Sequence, residues 1–374
     1  AETCARCHSS KLPDVAWKAM PDGCSGPDYL ECFMRYWKLT QTDDFKKKML
    51  EIVLAPDFLE DNYLSTDARI PVTLLRTNAC APLATNAIRD NIWDNFSSST
   101  YKSLPSVGKI TVQDPFTGEH WQYAMPGGGR GFTRVPSLVS EWANAPFLIN
   151  KRIGKFDENP SVEHRMKAFN EAIEQLLWPE KRKHDGNFDG EILRTTERSK
   201  VFIPKRQIPP ELASILDFPE RYATLLKEPI SLVKEPFSRL FDKDGNFEIG
   251  PFPKGFPIYL INYQPLVDIK DVGGKLEHVN NGGALLLTFG ANLPWPAKDA
   301  SDEEMLGWLA KLRKPLLKLS KCPDFVVNKG HYFGTAKFND TEGLSDDEKS
   351  FVKDPEPVLK DDDKRALIEF LKTF

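Results

Sequence analysis

Apolar residues recur along this chain in short, interrupted stretches, and no single period runs far. Between Pro27 and Leu39, Tyr29, Phe33, Tyr36 and Trp37 stand three or four positions from one another, which predicts an aromatic face on one helix. Core packing and the wall of a ligand site would read alike there. Asp43 to Val53 reads as a second short helix stopped before Pro56, with Lys46-Lys47-Lys48 as a solvated face. From Pro105 to Tyr123, β-branched and polar residues alternate around Asp114-Pro115 and Thr117-Gly118, the pattern of a hairpin. The clearest mid-chain helix runs from Ser161 to Trp178. Val162, Met166, Phe169, Ile173 and Leu177 form its apolar stripe, and Pro179 ends it. From about 181 to 275 the pattern changes: Asp185-Gly186-Asn187-Phe188 and Asp244-Gly245-Asn246-Phe247 are similar turns beside short β-rich runs. Two helices close the chain, one from Ser301 with Glu304 as its capping-box partner, the other from Asp361 to Phe374.

Composition narrows the class. With 374 residues, and ~150 in a typical domain, roughly two to three units are expected. Apolar residues at 40% and charged residues at 28% are the proportions of a soluble globular protein. The longest apolar runs, such as Ala284 to Phe289, fall far short of the ~18 residues of a membrane span, so no transmembrane segment is expected. Lys and Arg number 50 against 54 Asp and Glu, a net charge of -4 that argues against nucleic acid as a partner. The 29 prolines are spread along the chain, which predicts a mainly α protein with long ordered loops and inserted β-hairpins.

The chemistry is concentrated at the start. Cys4-Ala5-Arg6-Cys7-His8 spells C-x-x-C-H, the spacing at which two thiols add to the vinyl groups of one haem while the adjacent imidazole binds the iron. Multiplying residue frequencies gives roughly one chance occurrence per thousand such chains. A zinc or redox pair is the alternative, but zinc calls for a second ligand pair and no other C-x-x-C occurs. One covalently bound haem c is therefore expected, and its attachment outside the cytoplasm permits disulfides among Cys24, Cys32, Cys80 and Cys322. Cys24 with Cys32 would close a short loop and leave Cys80 for Cys322; four buried free thiols are the alternative. The glycines of Met125-Pro126-Gly127-Gly128-Gly129-Arg130-Gly131 would let backbone pass close to a flat ligand, and their spacing does not match a phosphate loop. Asp242, Asp244 and Asn246 alternate like a calcium loop, but Phe247 stands where glycine is needed and Pro253 where a bidentate Glu belongs.

Three segments carry a family resemblance. The terminal stretch from Asp361 to Thr373 looks like the last helix of c-type cytochromes. Arg134-Val135-Pro136-Ser137-Leu138, with Trp142-Ala143-Asn144-Ala145-Pro146-Phe147, resembles a segment shared by di-haem cytochrome c peroxidases and bacterial rubber oxygenases. With Lys329-Gly330-His331-Tyr332-Phe333-Gly334, these point to a relative of the rubber-oxygenase branch. The resemblance implies an elaborated cytochrome c-like fold, divided here as residues 1–180 for haem attachment, 181–275 as an inserted β-hairpin region, and 276–374 for the distal ligand and terminal helix. Family enzymes carry two haem motifs where this chain has one, and Ile149 stands where relatives often have histidine. For the sixth iron ligand the resemblance places a histidine in the Gly-His segment, which is His331, flanked by Gly330 and Gly334. Met125 before Pro126 is similar to the methionine loop of small cytochromes and is the alternative; His120, His164, His184, His278 and an open site remain.

A haem iron with two protein ligands suits electron transfer, so the leading expectation is a periplasmic or extracellular electron-transfer cytochrome. The alternatives are a haem-dependent oxidoreductase, peroxidase or oxygenase, in which this chain is the electron-relay half, and a subunit whose haem only staples the fold. Only Ala1, Glu2 and Thr3 precede Cys4, while Ala366, Leu367, Phe370 and Leu371 offer an apolar stripe on the terminal helix. A redox partner protein or an upstream segment of the same precursor is expected to cover it, with the helix from Asp43 as the candidate within this chain.

Overall fold

The computed structural model describes residues 2–19, 24–77, 99–114, 116–125, 127–186, 188–207, 242–261, 299–318 and 330–374. Ala1–Cys80, Phe96–Ile192 and Asp324–Phe374 form one compact unit, and Ala81–Asn95 with Leu193–Pro323 form another. The described helices are α1 (Glu2–Ala5), α2 (Asp14–Ala19), α3 (Tyr29–Thr40), α4 (Asp43–Leu54), α5 (Val72–Leu75), α6 (Ser99–Lys102), α7 (Val162–Leu177), α8 (Asp302–Lys318), α9 (Asp346–Lys349) and α10 (Asp361–Leu371). The strands are β1 (Arg69–Pro71), β2 (Lys109–Gln113), β3 (His120–Ala124), β4 (Phe132–Arg134), β5 (His184–Asp185), β6 (Phe188–Asp189), β7 (Ser199–Ile203) and β8 (Phe247–Phe252).

In the first unit, α3 follows a 3-10 turn, Gly26–Asp28, that takes up Pro27. Its aromatic face is buried as the spacing predicts: Tyr29, Phe33, Tyr36 and Trp37 are all inside, with Cys32 among them in a disulfide to Cys24. Cys80 and Cys322 lie outside the described residues. Thr42 caps α4 by accepting from the Phe45 amide, so a chain break of two residues turns the helices against each other. Ser161 caps α7 in the same way through His164. The buried face of α7 begins only at Ala168: Val162, expected in the stripe, is 64% exposed, whereas Phe169, Ala172, Ile173 and Leu177 are buried.

That buried face receives α10. Ile368 and Leu371 join Phe169, Ala172, Ile173, Leu177 and Trp178 in one apolar cluster, with Leu367 and Phe370 at its margin. The Trp178 indole N–H donates to Asp361 at 2.9 Å, and the Ser140 amide donates to the Phe374 carbonyl at 3.1 Å. Burial of each large side chain is worth about 1.5–3 kcal/mol. The expected stripe is thus rotated, with Ala366 exposed, and what covers it is α7 of this chain, not α4.

The expectation of a mainly α, elaborated cytochrome c-like fold is not met. Four separate two-stranded antiparallel sheets punctuate the described chain: β1 with β4, β2 with β3, β5 with β6, and β7 with β8. Three of the four belong to the first unit, so hairpins are not confined to an insertion. The reason is local. Prolines and glycines cut the apolar runs before helical hydrogen bonds propagate, while short turns close cheaply. Asp114 closes the β2–β3 turn by accepting from the Phe116 and Thr117 amides at 2.7 and 3.2 Å. In the second unit, Asp242 accepts from the amides of Asp244 and Asn246 and from the Asn246 side chain, so its carboxylate serves its own loop ahead of β8. The capping box of Ser301 and Glu304 opens α8 as expected. Among the described residues no helix is long and apolar enough to cross a membrane.

One buried carboxylate joins hairpin and tail. Glu348, 1% exposed, completes a capping box with Ser345 on α9 and also accepts from the Thr111 amide and hydroxyl of β2 at 3.0 and 2.8 Å. Glu348→Ala removes the acceptor from several buried donors and should cost about 2–3 kcal/mol in urea unfolding, against about 1 kcal/mol for Thr111→Ala. Equal midpoints for Glu348→Ala and the parent would show that this carboxylate carries no weight.

Candidate functional site

A single helical turn organises the motif. The Cys7 and His8 amides both donate to the Cys4 carbonyl, at 3.1 and 2.9 Å, continuing α1 by one turn. Positions i, i+3 and i+4 of a helix share a face, so Cys4, Cys7 and His8 fall on one side. Both thiols are free. Burial pushes the Cys4 thiol up and the Cys7 thiol to about 11, so each is protonated at neutral pH.

The residues between and after the ligand positions anchor this turn. Arg6, buried, reaches Glu356 at 2.7 Å, and its guanidinium lies 4.5 Å from the Trp37 ring centre and 5.0 Å from that of Phe333. The Tyr36 hydroxyl donates to the Arg6 carbonyl at 2.8 Å, so the aromatic face of α3 meets the motif's backbone. Beyond His8, Asn62 accepts from the Ser10 amide and hydroxyl and donates to Ser9 Oγ and the Phe58 carbonyl. None of these three anchors has a local sequence signal, because each joins segments tens to hundreds of residues apart.

His331 enters from the other end of the chain. Its amide donates to the Leu75 carbonyl at 3.2 Å, and it follows Gly330 in a pair of left-handed conformations, φ +60° and +50°. A Cβ on Gly330 would stand 2.5 Å from Thr77 Cβ, so the turn is pressed against the α5 end. Burial, then the charge of His331, lowers His8 to about 4, with the Pro136 and Leu64 carbonyls pulling the other way. Burial, then Arg182, lowers His331 to about 4. Both rings are therefore neutral at pH 7, the form that binds a metal.

Behind His331 lies a buried polar group that the spacing of residues did not reveal. Arg182 donates to the Gly330 and His331 carbonyls at 3.4 and 3.0 Å, and lies over the Tyr332 ring. Tyr332 donates to Asp189 at 2.9 Å, and Lys337 binds the same oxygen. Burial alone would raise the Asp189 pKa, but Lys337, Arg182 and the Tyr332 hydroxyl hold it below the usual carboxylate range.

The remaining candidates are elsewhere. Met125 is buried at the end of β3, its amide donating to the Gly108 carbonyl and its carbonyl accepting from Ser106. His120 and His184 are exposed on β3 and β5, and His164 lies 2.8 Å from Asp157. His278 lies outside the described residues. The glycine run lies close to its own chain: Gly128 donates to the Leu104 carbonyl, and a Cβ on Gly131 would stand 2.6 Å from Val107. Among the described residues no group of three His, Cys, Asp or Glu side chains is arranged to hold a bare metal ion.

These residues fit a covalently bound haem. The four groups, Cys4, Cys7, His8 and His331, keep part of their surface accessible while Ala5, Arg6, Gly330 and Tyr332 beside them are buried. His8 Nδ1 is a buried atom with no hydrogen-bond partner, beside carbonyls that favour a proton on the ring; a proton there leaves the Nε2 lone pair for a metal. No family model matches the chain, and neither a curated protein nor a solved structure matches it.

Two outcomes follow from this geometry. Arg6→Leu strands the Glu356 carboxylate and should cost about 3–5 kcal/mol by denaturant titration, with Glu356→Leu added to it recovering most of the loss. A double variant no more stable than Arg6→Leu would contradict that account. With no ligand on the imidazoles, folded His8 and His331 resist protonation down to about 4 while unfolded imidazoles take it up near 6.5. The unfolded chain then binds more protons, and stability of the haem-free chain should fall as pH drops from about 6.5 to 4. The His8→Phe/His331→Phe variant should show a shallower slope in the same urea series.

Proposed function

We propose that this chain is an extracytoplasmic c-type cytochrome that carries one haem c and transfers electrons to or from a redox partner protein. Cys4 and Cys7 would hold the group by thioether links, and His8 and His331 would supply its two axial nitrogens. The observation that carries this reading is a C-x-x-C-H turn with both thiols free and His8 on their face, together with a second imidazole from 323 positions away, His331, whose charge when protonated would act on His8. A haem so held supplies one-electron exchange at iron.

The residues account for the rest. Two imidazoles on one iron leave no place for oxygen or peroxide, which favours relay over catalysis. Arg6 and Asn62 keep the motif turn from shifting, so ligand positions change little between redox states, and Trp37 and Phe333 exclude water from its flank. The Cys24–Cys32 disulfide supports a periplasmic or extracellular location, since both it and thioether attachment belong to compartments outside the cytoplasm. The segments resembling di-haem peroxidases and rubber oxygenases support a distant relationship to that superfamily, on the residues alone.

The test is chemical. Acid-acetone extraction should leave the colour with the protein, because thioether links survive it; colour in the solvent would sink the covalent assignment. His331→Ala should turn a low-spin ferric spectrum into a high-spin or water-ligated one, whereas Met125→Ala should not. The reverse pair of results would move the distal ligand to Met125, and a high-spin ferric parent would favour an oxidoreductase.

A further inference from the structure

We propose that Arg182 is the positioning residue for His331, holding its imidazole against iron and so keeping the sixth coordination place closed; this rests on the haem reading above. Arg182 sits in Lys181-Arg182-Lys183. The lysine side chains are each 47% exposed and pair with Glu174, Glu171 and Glu191, but the Arg182 side chain is 0% exposed. Its three nitrogens are used differently from any surface cation: Nε donates to the Gln175 carbonyl at 3.0 Å, Nη1 to Gly330 and Nη2 to His331. One planar group therefore fastens the last turn of α7 to two successive carbonyls of the ligand turn.

That turn needs fastening. Gly330 and His331 are both left-handed, a conformation that a residue with a Cβ adopts at a cost and keeps only when its surroundings impose it. Three contacts do so. Thr77 blocks movement on one side, the Leu75 carbonyl holds the His331 amide, and Arg182 holds the two carbonyls. Of these, Arg182 alone is a side chain that bonds the ligand turn directly. Tyr332 beneath the guanidinium and Asp189 at 4.0 Å fix its plane. Lysine cannot substitute, because a single ammonium on a flexible stem does not reproduce a fork that bridges two carbonyls and a third.

The test uses the full haem-loaded chain, with carbon monoxide on the ferrous form and imidazole on the ferric form as probes. Arg182→Gln and Arg182→Lys should keep haem in parent yield by the pyridine haemochrome assay, yet bind carbon monoxide at least tenfold faster than the parent. Added imidazole should restore their low-spin ferric spectrum, as it should for His331→Ala. Lys181→Gln and Lys183→Gln should match the parent. Arg182 variants that stay as closed to carbon monoxide as the parent, while His331→Ala opens, would overturn the positioning role and leave the haem reading intact. A parent without thioether-bound haem, or a His331→Ala variant that stays low-spin, would overturn the reading beneath it. If Arg182→Gln does not accumulate, Arg182→Lys decides, since it keeps the buried charge and loses only the bridge.

Discussion

Between Gly330 and Lys360 the described chain makes one turn of α-helix and one of 3-10 helix, so helical and sheet hydrogen bonds serve only part of its backbone. Buried guanidinium groups supply the missing donors. Arg76 gives to the carbonyls of Phe338 and Asp340 at 2.7 and 2.9 Å, Arg182 to those of Gly330 and His331, and Arg6 meets the Glu356 carboxylate. An irregular segment can be buried only if its backbone groups are paired, and a side chain with five donors in a rigid fork does this where no sheet neighbour exists. Burial lowers the pKa of Arg76 and Arg182, yet both remain cations at neutral pH. The rest of the first unit follows from this fastening. The tail brings the His331 amide to the Leu75 carbonyl, Phe333 to Trp37, and Glu348 to the β2–β3 hairpin.

Features decided within a few residues were legible in advance. Ser161 and Pro179 bracket α7, Ser301 and Glu304 open α8, Asp114 turns the hairpin, and Cys24 reaches Cys32 across eight positions. The C-x-x-C-H turn belongs to the same class, because helical spacing alone puts its three groups on one face. What the sequence concealed was long-range pairing. Arg182 stands between two lysines and reads as surface, and Asn62 and Glu356 are single polar residues in unremarkable loops. Glycine signals close approach but does not name the neighbour, which at Gly131 is Val107. Fold class failed because short helices and short hairpins compete on nearly equal terms in a proline-rich chain. Tertiary contacts, not local propensity, settle such contests.

The join between Arg6 and Glu356 also fixes an order of events during synthesis. The partners are 350 residues apart, so the guanidinium has nothing to pair with until that length of chain has been translated. Closing so long a loop is slow and comes late in folding. Until then the turn carrying Cys4 and Cys7 lacks its cover from Phe333 and the tail, and its two thiols stand open to modification on a nascent chain whose remaining parts are still being made.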